Sequence, residues 1–186
     1  MMSGSVSRKL VQGGMILTRP VTGCSSGLGA ALARHVYQAG CPIVATARDP
    51  KTLSYLPDSP TVLKLPLDVT SEQDVKNVMK LAVEKFGRVS VVVNNAGYGL
   101  SGDTEAIPDA DARAQLETNF WGAANVTKAA LPVFRETNKA FDRAGGLVIQ
   151  ISSMGGRLGF PGSAFYHARY AFSLSEACTP SRTNLD

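Results

Sequence analysis

The sequence predicts an α/β fold, in which helices cover both faces of a doubly wound parallel sheet. From residue 15 onward, short apolar runs suited to buried strands alternate with segments whose apolar residues recur at helical spacing. A turn with three glycines follows the first of these runs. Right-handed crossovers favour the strand order 3-2-1-4-5 in a three-layer sandwich. At 186 residues the chain suits one domain, which we assign to residues 15–186 after a disordered tail over residues 1–14.

Composition and charge argue against several classes of protein. The net charge is +4 and the basic residues are scattered, which argues against binding to nucleic acid. The two histidines and three cysteines form no cluster with metal-ligand spacing, so we expect no metal. The cysteines form no CxxC pair, and reduced thiols in a cytoplasmic protein are the simplest interpretation. No apolar run reaches the length of a membrane span, and none is expected.

The first strand is expected over residues 15–22, although Arg19 and Pro20 interrupt it. Proline cannot donate to a strand ladder, and a central strand gives an arginine no water. We therefore expect either that this strand is short and bulged, or that the sequence is altered locally.

The turn after this strand suits a bound pyrophosphate. Gly23 permits a tight bend, Gly27 leaves room for the phosphates, and Gly29 lets the next helix pack closely on the strand. That helix would aim its N-terminal N–H groups at the phosphates and end at Gly40. Its predicted apolar face consists of Leu28, Leu32, Val36 and Ala39.

The second apolar run, residues 43–47, ends where dinucleotide-binding folds distinguish their cofactors. An acid at this point binds the adenosine ribose of NAD, whereas an arginine favours the 2′-phosphate of NADP. Arg48 follows the run, and Asp49 competes for the ribose role. Because Asp49 precedes Pro50 and suits the cap of a short helix, we predict NADP(H) in preference to NAD(H).

The remaining strands are expected over residues 62–67, at an edge because of Pro66, and over 91–93 and 147–151. The helix between the first two has an apolar face of Val75, Val78, Met79, Ala82 and Phe86.

A long helical region is predicted over residues 109–137, with a bend or break at Pro132. Asn119 lies in its middle among apolar neighbours, where asparagine is a poor helix former.

Five blocks of the sequence resemble the short-chain dehydrogenase/reductase family, and in particular its NADP-dependent ketone and hydroxysteroid reductases. The blocks are a TGxxxGxG turn at residues 22–29, Asp68-Val69-Thr70, Asn94-Asn95-Ala96-Gly97, Asn119, and Ser153 thirteen residues before Tyr166. The resemblance covers roughly residues 15 to 178 and implies a Rossmann-like fold that binds a nicotinamide dinucleotide.

The resemblance also implies a role for particular residues. Tyr166 would be the acid/base, Ser153 would bind the substrate oxygen, and the backbone carbonyl of Asn119 would hold an ordered water of a proton relay. Asp68 would bind the adenine, and Asn94 would hold neighbouring strands. The full cofactor set is predicted to be Gly23, Ser25, Ser26, Gly27, Leu28, Gly29, Arg48, Asp68, Val69, Asn95, Ala96 and Gly97.

The segment after Tyr166 departs from the family pattern. The family has a lysine four residues after the tyrosine, and its charge makes the tyrosine a usable acid and base. Here the fourth residue is Tyr170, and the nearest cation is Arg169, one residue early. One residue of helix is a rotation of about 100°. The family's last strands are also missing after this helix, so we expect a C-terminally truncated member.

We therefore predict an NADP(H)-dependent oxidoreductase that transfers hydride between nicotinamide and a ketone or secondary alcohol. Its catalytic residues would be Tyr166, Ser153, Asn119 and Arg169. The alternative is a catalytically inactive dinucleotide-binding or interaction protein that keeps the scaffold. The resemblance also implies a homodimer that pairs through the helices after strands four and five.

Overall fold

The computed structural model describes residues 17–140 and 145–171, and for residues 169–171 it describes the backbone alone. The predicted tail over residues 1–14 lies outside this range. One sheet contains β1 (Arg19–Val21), β2 (Ile43–Ala47), β3 (Val62–Pro66), β4 (Val91–Asn94) and β5 (Leu147–Gln150). Its order is β3-β2-β1-β4-β5, and all neighbouring strands are parallel. The predicted fold class and strand order are confirmed.

The α-helices of the described chain are α1 (Gly27–Gln38), α2 (Glu72–Phe86), α3 (Asp109–Leu116), α4 (Gly122–Arg135) and α5 (Ala164–Ala171). A π-helical turn, Glu117–Trp121, joins α3 to α4. Short 3₁₀ turns occur at Pro50–Leu53, Thr137–Ala140 and Met154–Gly156.

The sheet separates two apolar cores, and successive side chains along a strand point alternately into one core and the other. Val44 and Val92 pack with α2 and α4 on one face, whereas Ile43, Ala45 and Val93 pack with α1 on the other. Side chains alternate between the faces of a strand, so one short apolar run supplies both cores. The apolar face predicted for α2 is confirmed, with four residues buried and Phe86 packed against them.

The apolar face predicted for α1 is wrong at both ends. Leu28 is 72% exposed, and Ala39 is exposed as well. The buried face consists instead of Gly29, Ala30, Ala33 and Val36. Leu28, in the first turn of α1, borders an open cleft rather than the sheet, so its position on the helix does not bury it.

The long helix is also divided at a different place than predicted. Pro132 lies inside α4, and its carbonyl accepts from the N–H of Glu136 at 2.8 Å. The irregularity is the π turn, which contains Asn119. A π turn inserts one residue into the helical repeat, and such turns are frequent at functional sites.

The interrupted first strand is short, as expected, with three residues. The guanidinium of Arg19 lies at the start of β1 and donates to the carbonyl of Leu17 at 2.7 Å. Pro20 is buried between β2 and β4, and only Val21 is in register with β4, opposite Val93. The N–H of Thr22 donates to the carbonyl of Val93 at 3.0 Å, so the nitrogen of residue 20 faces β4 too.

We predict that Pro20→Val strengthens the link between β1 and β4. Alternate carbonyls of a strand point the same way, so the carbonyl of Val91 faces β1 opposite the nitrogen of residue 20. A valine there supplies the missing ladder donor, and a net hydrogen bond contributes about 0.5–1.5 kcal/mol. The measurement is the free energy of unfolding in urea.

Pro66→Val is the matched control, because Pro66 ends the edge strand β3 and its nitrogen faces away from β2. Either substitution loses the stabilisation that proline gives by restricting the unfolded chain. The difference between the two variants therefore reports the new hydrogen bond together with the change in packing at residue 20, which is buried whereas Pro66 is exposed. Equal free energies of unfolding would contradict the prediction.

Candidate active site

A cleft of about 920 Å³ lies at the carboxyl ends of the strands. The strand order reverses between β1 and β4, and open α/β sheets bind ligands at such a point. All twelve residues of the predicted cofactor set line this cleft, together with Ser153 and Tyr166. The fold therefore brings four of the five family blocks to one surface together with Arg48, while Asn119 does not line the cleft.

Thr22 and Asn95 join the ends of β1 and β4 at the base of this cleft. The Asn95 amide donates to the carbonyls of Thr22 at 2.8 Å and of Gly23 at 3.1 Å. The Thr22 hydroxyl oxygen accepts from the backbone N–H groups of Asn95 and Ala96, both at 2.9 Å. These four bonds fix the glycine turn relative to β4.

Asn94 joins neighbouring strands through its backbone, because its carbonyl accepts from the N–H of Ile151 after β5 at 2.9 Å, whereas its side chain holds a helix. Its amide donates to the carbonyl of Ala123 at 3.2 Å and to the hydroxyl of Thr127 at 3.0 Å, both on α4. Successive side chains of a strand point to opposite faces, so the two adjacent asparagines serve different neighbours. The side chain of Asn95 adds a second link, between the end of β4 and the turn after β1.

Gly29 permits the close approach of α1 to the strand end. A Cβ at this position would overlap the carbonyl oxygen of Gly23 and lie 2.5 Å from the Asn95 amide nitrogen. Gly23 has a φ of 68°, a region that L side chains rarely adopt. Gly27, by contrast, has open space where a side chain would be, because it faces the cleft.

The N-terminus of α1 has the properties of an anion site. Its first turn carries no acidic residue, and Ser26, which precedes it, makes no capping bond to it. Ser25, Ser26 and Leu28 are exposed on the cleft. A helix of this length has unpaired N–H groups and the positive end of its dipole here, and both favour a phosphate.

Two carboxylates near the cleft already accept hydrogen bonds from their own turns. Asp49 caps the turn Pro50–Leu53 and accepts from the N–H of Lys51 at 3.0 Å, as its position before Pro50 predicts. Asp68 accepts from the N–H and hydroxyl of Thr70 at 2.9 and 2.7 Å. Arg48 is exposed and lines the cleft.

Asn119 holds the loop that follows β4. Its side-chain oxygen accepts from the N–H of Tyr98 at 2.9 Å, and its nitrogen donates to the carbonyl of the same residue at 2.7 Å. Gln115, fully buried one turn earlier, donates to that carbonyl at 3.3 Å. No role was predicted for Gln115 from the sequence, although its spacing of four residues from Asn119 puts both on one helix face. The relay role of the Asn119 backbone carbonyl stays a prediction.

Ser153 and Tyr166 come together where β5 and α5 meet the cleft. Both also line a smaller adjoining cavity of about 240 Å³, whose wall includes Met154, Phe160 and His167. The Ser153 hydroxyl oxygen accepts from the N–H of Gly155 at 3.2 Å. His167 accepts from the N–H of Phe160 at 3.3 Å and so fixes the loop between Ser153 and α5. The side chain of Arg169 lies outside the described residues.

Cys24 lies within the glycine turn but is not a nucleophile there. Its thiol is fully buried, and this burial raises its pKa to about 11. Since the thiolate is the reactive form, a thiol with this pKa is inert near neutral pH. Among the described residues, no group of three or more histidine, cysteine and acidic side chains could hold a metal ion. No helix in the same part of the chain is both long and apolar enough to cross a bilayer.

Comparison with known proteins gives three informative relatives. The chain is 50% identical over 153 residues to oxidoreductase calM of Penicillium decumbens, across 80% of this chain and 49% of that protein. It is 34% identical over 148 residues to a 3-ketodihydrosphingosine reductase of Bacteroides thetaiotaomicron, across 80% and 51% of the two chains. Its structure superposes on a short-chain dehydrogenase from Streptomyces avermitilis with a TM-score of 0.76 and 34% identity, across 86% and 57% of the two chains.

The chain spans about half the length of the curated relatives it matches. The short chain dehydrogenase family model nevertheless matches residues 19–172, which include the whole described sheet and both cavities. Fold, cleft and sequence agree with this match, and the chain belongs to the short-chain dehydrogenase family.

Proposed function

We propose that this chain is an NADP(H)-dependent oxidoreductase that transfers hydride between nicotinamide and a ketone or secondary alcohol. The observation that carries the proposal is the single cleft that combines the whole predicted cofactor set with Ser153 and Tyr166. The name of the Bacteroides relative, a keto reductase, supports the substrate class. Because the chain spans about half of its relatives, the activity of the whole protein is part of this proposal.

The residues of the cleft fit a phosphorylated dinucleotide. The N–H groups at the start of α1 and the hydroxyls of Ser25 and Ser26 would bind the pyrophosphate. Arg48 would pair with a 2′-phosphate through charge-assisted hydrogen bonds. Asp49 is occupied as a helix cap, so it is less available to a ribose diol. This division of roles supports NADP(H) over NAD(H).

The bound nicotinamide would supply or accept the hydride, and the protein handles the proton. Tyr166 would donate a proton to the carbonyl oxygen of the substrate as that oxygen gains charge. Ser153 would donate a hydrogen bond to the same oxygen. Its own oxygen accepts from Gly155, and this bond leaves the hydroxyl proton available. Asn119 and Gln115 would keep the loop at Tyr98 in place on the opposite wall.

The acid requires a nearby cation, because an unperturbed tyrosine titrates near pH ~10. Arg169, three residues after Tyr166 on α5, is the residue we assign to this role. A guanidinium is planar and broad, whereas the lysine of the family pattern ends in a compact ammonium.

A second candidate is a protein that binds the dinucleotide without turnover. One observation favours it: Tyr170 occupies the fourth position after Tyr166, where the family pattern has its lysine. The cofactor half of the cleft does not depend on this residue, so binding and turnover are separable.

We predict that Arg48→Ala selectively weakens the binding of NADP(H). A hydrogen bond to a charged group contributes roughly 1.5–3 kcal/mol, so the dissociation constant for NADP(H) rises by about 10- to 100-fold. NAD(H) lacks the 2′-phosphate, and its dissociation constant stays within about two-fold. Isothermal titration calorimetry with both cofactors measures the effect.

Lys51→Ala is the control for this experiment, since it removes a nearby exposed charge that does not line the cleft. It should leave both affinities unchanged. Tighter binding of NAD(H) than NADP(H) by the unmodified chain would contradict the cofactor assignment. An equal loss of affinity for both cofactors in Arg48→Ala would also contradict it.

Restoring the family spacing in α5 distinguishes an enzyme from a protein that only binds the dinucleotide. We predict that a serine inserted between Ala168 and Arg169, combined with Arg169→Lys, raises the rate of NADPH-dependent ketone reduction. The change restores the spacing Tyr-x-x-x-Lys, and acid–base assistance contributes roughly 10²–10⁴-fold. The rate is followed by the loss of NADPH absorbance with a panel of ketones.

The matched control carries the same insertion but keeps the arginine, which separates spacing from side-chain chemistry. Equal turnover by the unmodified and repaired chains would show that Arg169 already suffices as the cation. NADP(H) binding by both chains, with no turnover in either, would favour the second candidate.

A further inference from the structure

We infer that Tyr55 is a positioning residue for the cofactor, which orients the phosphate-binding turn from behind the cleft. The inference rests on the proposed function, because it assumes that the turn binds the pyrophosphate of NADP(H). Tyr55 does not line the cleft; it follows the 3₁₀ turn Pro50–Leu53 and is partly buried. Its side chain reaches the glycine turn from outside the cleft.

The Tyr55 hydroxyl donates to the carbonyl of Cys24 at 2.7 Å, across 31 residues of sequence. The N–H of Cys24 donates to the carbonyl of Thr46 on β2 at 2.8 Å, and its thiol donates to the carbonyl of Val21. The backbone of Cys24 is thus held on both sides, by the sheet through its N–H and by Tyr55 through its carbonyl.

This second bond controls the direction of the next N–H group. A trans peptide is planar, and its carbonyl and the following N–H point in opposite directions. A carbonyl of Cys24 held toward Tyr55 therefore fixes the N–H of Ser25 away from Tyr55. Ser25 lines the cleft beside the start of α1, where the pyrophosphate would bind. Tyr55 thereby orients a phosphate donor without touching the phosphate.

The ring of Tyr55 is itself held in place. The guanidinium of Arg34, on α1, lies over the ring with its carbon 4.3 Å from the centroid. Burial is the main cause that raises the pKa of the Tyr55 phenol to about 12, and the Cys24 thiol adds to this shift against the opposing charge of Arg34. The phenol keeps its proton near neutral pH, so it serves as a fixed donor and not as an acid or base.

The test compares Tyr55→Phe with the unmodified chain, using two ligands. NADP(H) carries both the pyrophosphate and the 2′-phosphate. Adenosine 2′-monophosphate carries the 2′-phosphate but no pyrophosphate. We expect Tyr55→Phe to raise the dissociation constant of NADP(H) by about three- to ten-fold, the range for loss of one hydrogen bond. Adenosine 2′-monophosphate should bind within about two-fold of normal, because Arg48 is held by β2 and the Asp49 cap.

Tyr37→Phe is the matched control, since it removes a hydroxyl from α1 at a partly buried residue that does not line the cleft. It should leave both affinities unchanged. Unchanged NADP(H) affinity in Tyr55→Phe would overturn the inference. An equal loss of affinity for both ligands would also overturn the inference, because that result indicates general loosening of the fold and not reorientation of one peptide.

A measurement on the unmodified chain keeps the inference testable if Tyr55→Phe does not fold. The amide proton of Ser25 should shift in the NMR spectrum on binding of NADP(H) and stay unshifted on binding of adenosine 2′-monophosphate. No shift with NADP(H), despite binding, would overturn the inference. Failure of the unmodified chain to bind NADP(H) at all would instead refute the proposed function, so the two failures are distinguishable.

Discussion

The hydrogen bonds between Thr22 and Asn95 are the constraint on which the rest of the cleft depends. They join the last residue before the glycine turn to the first residue after β4. The turn can approach β4 this closely only because residues 23 and 29 have no side chain. Any widening of this contact would move the N-terminus of α1 away from the walls formed by the ends of β4 and β5. The position of the α1 N-terminus relative to the ends of β4 and β5 therefore depends on this local contact.

The loop after β4 forms the opposite wall of the cleft, and buried side chains bind its backbone groups. Asn119 and Gln115 fix the peptide groups around Tyr98, and the N–H of Gly102 donates to the carbonyl of Gly162 at 2.9 Å. The loop after β4 is therefore tied to the helix below it and to the segment before α5. This arrangement places Tyr166 against Gly99. A Cβ atom added to Gly99 would lie 3.8 Å from the Tyr166 ring. The acid/base candidate and the loop form one continuous surface.

The sequence predicted the fold, the strand order and the lining of the cleft, because these depend on patterns along the chain. Buried strands appear as apolar runs, and the glycines and the Asp49-Pro50 pair have strong local preferences. It failed where the outcome depends on the tertiary neighbour. Leu28 has helical spacing but borders open space, and two adjacent asparagines could not be told apart without their partners. The contributions of Tyr55 and Gln115 were not visible, since each acts through a backbone carbonyl distant in sequence.

The presence of proline in β1 has a consequence for how the protein tolerates mutation. A ladder bond between two backbones survives almost any change of side chain, whereas a bond made by a side chain is lost with one substitution. At the junction of β1 and β4, where Pro20 has no N–H to offer, the side chain of Thr22 makes three hydrogen bonds and that of Asn95 makes two. The sensitivity of this junction to substitution is therefore concentrated in two residues, while a complete ladder would have spread it along the whole strand.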